Sequence, residues 1–192
     1  MSPTPNNLFL KAIRNKPIER TPIWIMRQAG RYLPEYIELK NKAGGFIGLV
    51  KNPELACEIT LQPLKRFSLD SAIVFSDILV IAEVLGIKLS FIENKGPVFD
   101  KTIRSEKDLN ELNTNEYNVE SLDYVFSTIK LLKRELDKEK PLIGFIGSPW
   151  TVATYIVEGN SSKKFTNIFE MLKKNPKLLH KILDMLTDIN IQ

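Results

Sequence analysis

Pro22-Ile23-Trp24-Ile25-Met26-Arg27-Gln28-Ala29-Gly30-Arg31-Tyr32-Leu33-Pro34 sets a five-residue apolar run directly ahead of two arginines four positions apart. A continuous apolar run of strand length, without alternation, predicts a strand buried on both faces, as in a parallel sheet. Pro34 suits the first turn of a helix and Gly44-Gly45 its stop, so the stretch predicts a strand, a loop carrying the arginines, and a helix. Only seven of the chain's 27 basic residues are arginine. Where lysine is otherwise the rule, a guanidinium pair flanking Ala29 and Gly30 points to a need for planar, bidentate donors, which suit carboxylate or phosphate. Gly30 lets the backbone approach a ligand closely. The same pair would serve equally as structural ion pairs at the rim of a sheet.

The pattern recurs outward from this stretch. Asn6 to Asn15 reads as a short helix closed by Pro17, and Asn52-Pro53-Glu54 as a capped helix start with Pro63 kinking or ending that helix. Ser71-Ala72-Ile73-Val74-Phe75 is a second buried-strand candidate running into a polar residue, Asp77, with helical character up to Leu85 and a stop at Gly86. Lys88 to Ile92 alternates like an exposed strand and Gly96-Pro97 turns the chain, which reads as an inserted hairpin. Between Asn118 and Lys138, the residues Val119, Leu122, Val125 or Phe126, Ile129, Leu132 and Leu136 recur at helical spacing. Leu142-Ile143-Gly144-Phe145-Ile146 is the third buried-strand candidate, followed by the Gly147-Ser148-Pro149-Trp150 turn and a helix toward Gly159; Asn175-Pro176 opens the last helix.

Three buried strands, each followed by a loop and a helix, predict an α/β fold with a parallel sheet in one domain spanning residues 1–192. A doubly wound sheet and an eight-stranded barrel both satisfy the pattern. No Gly-x-Gly-x-x-Gly follows a strand, which leaves a dinucleotide crevice without support. Catalytic groups of a barrel come from the C-terminal ends of several strands, and the sequence puts Arg27, Asp77 and the Gly147 loop at such ends.

Composition narrows the function. A 192-residue chain with 43% hydrophobic residues buries roughly 70% of its unfolded surface. The net charge of +4 is spread among mixed acids and bases, which is weak support for a nucleic-acid partner and fits a negatively charged substrate as well. Cys57, the single cysteine, reads as a small buried hydrophobe in a reducing, cytoplasmic setting. Charges break the N-terminal region where a secretion signal needs an apolar core, and Asp77 and Glu83 interrupt the longest apolar stretch, so a soluble protein is expected.

Met26-Arg27-Gln28-Ala29-Gly30-Arg31-Tyr32-Leu33-Pro34-Glu35-Tyr36 also resembles the N-terminal signature of the uroporphyrinogen decarboxylase family, which removes carboxylates from porphyrinogen acetate side chains. Phe75-Ser76-Asp77-Ile78-Leu79 is similar to that family's second site motif, and Gly144-Phe145-Ile146-Gly147-Ser148-Pro149-Trp150-Thr151, with Tyr155-Ile156-Val157-Glu158-Gly159, to its third. The motifs are collinear, and the family's chain continues well beyond position 192. The resemblance implies a (β/α)8 TIM barrel of which this chain is the N-terminal part, the first three βα units and part of the fourth. It implies a carboxy-lyase that needs no cofactor and no metal, takes the tetrapyrrole uroporphyrinogen III to coproporphyrinogen III in haem biosynthesis, and is a cytoplasmic homodimer binding neither membrane nor nucleic acid.

Roles follow from the same resemblance. Arg27 and Arg31 hold substrate carboxylates, with an arginine of this motif a candidate to supply or relay a proton. Asp77 accepts hydrogen bonds from the pyrrole N–H groups and stabilises the protonated pyrrole that takes up electrons as carbon dioxide leaves. Tyr155 joins Asp77 and Arg27 as a catalytic candidate, while Gln28, Ala29, Phe75, Ser76 and Phe145 join the binding set. From the residues alone, Asp77 is equally read as a helix cap and Tyr155 as a core tyrosine. His180 reads as solvated, and the lysines at 163, 164, 173, 174 and 177 as an exposed helical face. Two competing readings are a zinc- and cobamide-dependent methyltransferase on a related barrel and an inactive truncated fragment.

Overall fold

The computed structural model describes residues 7–92, 95–112, 117–162 and 164–192. Asn6, at the start of the first expected helix, and Lys163 lie outside them. In chain order the elements are Leu8–Ile13 (α1), Pro34–Lys42 (α2), Phe46–Val50 (α3), Pro53–Arg66 (α4), Ala72–Ile73 (β1), Leu89–Ile92 (β2), Gly96–Phe99 (β3), Glu106–Asn110 (α5), Asp123–Glu135 (α6), Leu142–Ile143 (β4), Pro149–Glu158 (α7), Thr166–Lys174 (α8) and Pro176–Ile191 (α9). Short 3₁₀ helices cover Val80–Leu85 and Val119–Leu122. The chain is an α/β fold that divides into two compact units, Met1–Ser76 with Tyr124–Phe145, and Asp77–Asp123 with Ile146–Gln192.

In the first unit β1 pairs in parallel with β4, Ala72 opposite Leu142 and Ile73 opposite Ile143. Asn52 caps α4 through its side chain, which accepts from the Leu55 N–H at 3.0 Å, with Pro53 in the first turn. Pro63 does not end α4, which continues to Arg66. Proline deletes one hydrogen bond per helix, and the deletion falls in the last turn, where few further bonds depend on it. Leu33, Tyr36, Leu49 and Ile59 form one buried cluster; Cys57, Val74 and Leu132 form another. Burial pushes the Cys57 thiol up. Within α6, Thr128 and Leu132 are buried and Val125 is half-buried while Phe126 is exposed, so Val125 is the inward member of that pair.

The run Pro22–Met26 is not a strand. Ile23 is 53% exposed and Met26 72%, and the run belongs to no sheet. A parallel strand is buried by neighbours on both edges and helices on both faces, whereas this run is tied to its unit mainly at Ile23. The Asp70 N–H donates to the Ile23 carbonyl at 2.9 Å, and the Ile23 N–H to the Asp70 carboxylate at 2.7 Å. Arg20 grips the same carboxylate with both guanidinium nitrogens, at 2.7 and 2.6 Å. The other two predicted strands pair over two residues each, Ala72–Ile73 and Leu142–Ile143, and Phe145 and Ile146 are exposed.

The Arg20 hydrogen bonds hold the Asp70 carboxyl below its ordinary value of 3.8, opposed by partial burial and helped by the Ile23 N–H. A depressed folded value means that the contribution is present above the unfolded value and lost as pH falls through the folded one. Asp70→Asn is therefore expected to lower the urea midpoint at neutral pH, with the gap to the parent closing below about pH 4. Urea unfolding followed by circular dichroism measures this, and a gap independent of pH would assign Asp70 to shape instead of charge.

The second unit contains the expected hairpin, β2 antiparallel to β3, with Leu89 opposite Phe99 and Ile92 opposite Gly96. Gly96 and Pro97 lie in β3 itself and not in the turn. The helices α7, α8 and α9 pack on one another. Along α9 the buried residues Leu178, Leu179, Ile182, Met185, Leu186 and Ile189 follow the helical repeat, and Asn175 caps its start. His180 is exposed, as are Lys164, Lys173, Lys174 and Lys177.

Candidate functional site

The candidate residues fall in both units. In the first, Met26 and Arg27 turn the chain, and Arg27 adopts a left-handed backbone with φ of 58°. That conformation costs a non-glycine residue about 1 kcal/mol and persists only where surrounding bonds hold it. Gln28 supplies those bonds. It is 1% exposed, its Oε1 accepts from the Ile25 N–H at 3.3 Å, and its Nε2 donates to the Ser71 carbonyl at 3.1 Å. The Tyr32 hydroxyl donates to the Gln28 carbonyl, and the Leu33 N–H to the Gly30 carbonyl at 3.0 Å, leading into α2.

Two arginines of this unit are committed to internal acids. Arg20 is occupied by Asp70, and Arg66 by Glu35 through bonds of 2.6 and 2.9 Å. Arg27 and Arg31 are exposed, and neither pairs with a carboxylate among the described residues. The rim ion-pair alternative thus has no partner here, and two planar cations stand open to an external anion. Burial pushes the Tyr36 phenol up, and Arg31 beside it pulls the other way.

Ala29 and Phe75 pack against the same buried cluster, and Phe75 meets Tyr36 and Phe46 edge-on, with ring centroids 5.9 and 5.5 Å apart. The Phe75 N–H donates to the Thr60 hydroxyl at 3.0 Å, fixing the exit of β1, where Ser76 is half-buried. Gln28 is tied instead to Ser71, at the entry of β1. The expectation that Arg27 stands at the C-terminal end of a strand is not met, because the run before it is not paired in a sheet. Phe145, two residues past β4, is 37% exposed.

In the second unit the half-buried Asp77 has one carboxylate oxygen bonded to the Leu79 N–H at 2.8 Å, capping the turn into the 3₁₀ helix. The 3₁₀ helix begins at Val80 with Leu79 at its N-cap position, so the expected cap of a helix at Ile78 is instead a turn closed by the Asp77 side chain two residues ahead of the helix. Gly147 lies against this turn. A Cβ there would stand 2.5 Å from Val152 Cγ2, 3.0 Å from the Ile78 carbonyl oxygen and 3.2 Å from Ile78 Cβ. The third motif needs glycine at this point for close approach to the residue after Asp77. Gly147→Ala is expected to destabilise the protein by about 1–3 kcal/mol, readable as a lower melting temperature; an unchanged melting temperature would show that the contact relaxes freely.

Tyr155 is half-buried on α7, beside the buried face formed by Val152, Ala153, Ile156 and Val157. Two supports of this unit were not legible beforehand. Asn190 on α9 donates to the Gly147 carbonyl at 3.1 Å. The buried Glu158 accepts from Asn167 Nδ2 at 2.8 Å and the Ile168 N–H at 3.1 Å, joining the end of α7 to the start of α8. A polar residue on an otherwise apolar helix face was the available signal for Asn190.

Among the described residues no three of His, Cys, Asp and Glu converge as a metal site, and no helix is long and apolar enough to cross a membrane.

Comparison with known proteins places these motifs. The structure is similar to a methyltransferase from Methanosarcina mazei, with a TM-score of 0.65 at 19% identity over 95% of this chain and 52% of that one; at that identity the likeness concerns the fold. A uroporphyrinogen decarboxylase from Alkalilimnicola ehrlichii is 53% identical over 184 residues, 96% of this chain and 50% of the relative. The one from Cellvibrio japonicus is 50% identical over 188 residues, 98% and 52% respectively. The chain spans about half the length of the curated relatives it matches. The family model described as uroporphyrinogen decarboxylase (URO-D) matches residues 4–192, the open arginine pair and the Asp77 turn included, and the chain belongs to that family.

Proposed function

We propose that this chain is the N-terminal part of a single (β/α)8 barrel domain of a uroporphyrinogen decarboxylase, a cytoplasmic homodimer that converts uroporphyrinogen III to coproporphyrinogen III without a cofactor. The observation that carries this is the pair Arg27 and Arg31, exposed inside the family's first motif with no acid partner among the described residues, while Arg20 and Arg66 are consumed by internal acids. A planar guanidinium matches a carboxylate with two parallel hydrogen bonds, and the substrate carries eight carboxylates.

On this reading the arginines fix the acetate side chains and Asp77 faces the pyrrole nitrogens. The bond between the acetate methylene and its carboxylate breaks, and its electron pair flows into a ring protonated on carbon. Carbon dioxide leaves, the methylene carbon takes up a proton to become a methyl group, and the ring carbon gives back the proton it had gained, so one proton replaces carbon dioxide and no electrons enter or leave overall. The Asp77 charge lowers the energy of the cationic ring. A guanidinium holds its proton too tightly to be a good donor, so Arg27 and Arg31 are assigned to holding carboxylates. Tyr155 offers a phenol for a carboxylate, and Ala29, Phe75, Ser76 and Phe145 frame the macrocycle.

The test is titration of residues 1–192 with uroporphyrin I, an octacarboxylate, followed by porphyrin fluorescence. Binding that weakens with added salt is expected; affinity equal to that for a porphyrin without carboxylates would overturn the assignment.

A further inference from the structure

We propose that Gln28 is a positioning residue that holds Arg27 in its left-handed turn and does not itself touch the substrate. The inference rests on the reading of Arg27 and Arg31 as a carboxylate clamp. A carboxamide that hydrogen-bonds a solvent-borne tetrapyrrole must present a free polar atom. The Gln28 carboxamide presents none, being 1% exposed with its oxygen on the Ile25 N–H and its nitrogen on the Ser71 carbonyl.

The two partners demand this side chain. Ile25 offers a donor and Ser71 an acceptor, so the bridging tip needs one acceptor and one donor, which a carboxamide supplies. Asparagine is one methylene shorter. Glutamate would turn an acceptor toward the Ser71 carbonyl, and methionine would leave both backbone groups without a partner inside the protein. The bridge from Ile25 to Gln28 spans Arg27, whose φ of 58° needs such external support. Gln28 thereby fixes the direction in which the Arg27 guanidinium leaves the backbone, so that less freedom is lost when a carboxylate binds.

A double-mutant cycle on the full chain tests this, with uroporphyrin I as the probe. Gln28→Met preserves length and bulk without either hydrogen bond and is expected to weaken binding roughly tenfold. In an Arg27→Lys background the same change is expected to have little further effect, because the residue acts through Arg27. A general loss of structure would instead lower affinity equally in both backgrounds, and that additivity would overturn the proposal, as would unchanged affinity in Gln28→Met alone. If Gln28→Met does not fold, judged by circular dichroism, the cycle is read with the isosteric Gln28→Glu, which keeps the Ile25 bond. Should Arg27→Lys itself bind uroporphyrin as the parent does, or the parent not bind it, the clamp reading fails and takes this proposal with it.

Discussion

Asp77→Asn is expected to slow uroporphyrinogen decarboxylation by roughly a hundredfold or more, while uroporphyrin binding changes by less than about threefold. The vehicle is a chimera in which this chain replaces the matched half of the Alkalilimnicola enzyme, 53% identical over 184 residues. Asparagine retains the oxygen that accepts from the Leu79 N–H, so that bond at 2.8 Å is kept while the negative charge is removed. Capping and electrostatic stabilisation therefore predict different results. If Asp77 only caps, the chimera carrying Asp77→Asn turns over normally; if its charge stabilises a protonated pyrrole, turnover falls while melting temperature and binding hold. Single-turnover kinetics followed by chromatographic separation of the porphyrin products measures the rate.

The second large effect is expected from replacing Arg27 and Arg31 together with lysine. Lysine keeps the positive charges and meets the left-handed backbone at position 27 no worse than arginine does, so the fold is expected to hold. A point charge does not reproduce the two parallel bonds of a guanidinium. Uroporphyrin affinity is expected to fall about ten- to a hundredfold, with each single variant showing part of the loss. Full affinity in the double variant would mean that the pair supplies only net charge, and the clamp would be withdrawn.

Local signals in the sequence read well where the cause was itself local. Asn52-Pro53 and Asn175-Pro176 opened helices because a capping oxygen and a pre-set φ act within one turn. Cys57 was legible as a buried apolar residue. Pro22–Met26 was misread because continuous apolar character reports the demand for burial and not the presence of neighbours to supply it. For the candidate site, residue types and spacing pointed to the arginine pair, and the structure adds that Arg20 and Arg66 are already occupied. What sequence could not show was the inward turn of Gln28, whose partners Ile25 and Ser71 are respectively three and 43 positions away. Nor could it show why Gly147 must be glycine, since its neighbour Ile78 is distant in sequence.

The central claim, that this chain carries the decarboxylase's substrate-holding and ring-stabilising groups, is tested most directly by anaerobic incubation of uroporphyrinogen III under reducing conditions. Residues 1–192 are assayed alone and within the chimera, with products separated by carboxylate number. The account predicts stepwise loss of four carboxylates in the chimera and none by residues 1–192 alone, whose described residues supply one parallel pair, β1–β4, of the proposed eight-stranded barrel. A folded chimera that leaves uroporphyrinogen unchanged, beside an active Alkalilimnicola enzyme, would contradict the assignment of these residues; turnover by residues 1–192 alone would contradict the partial barrel.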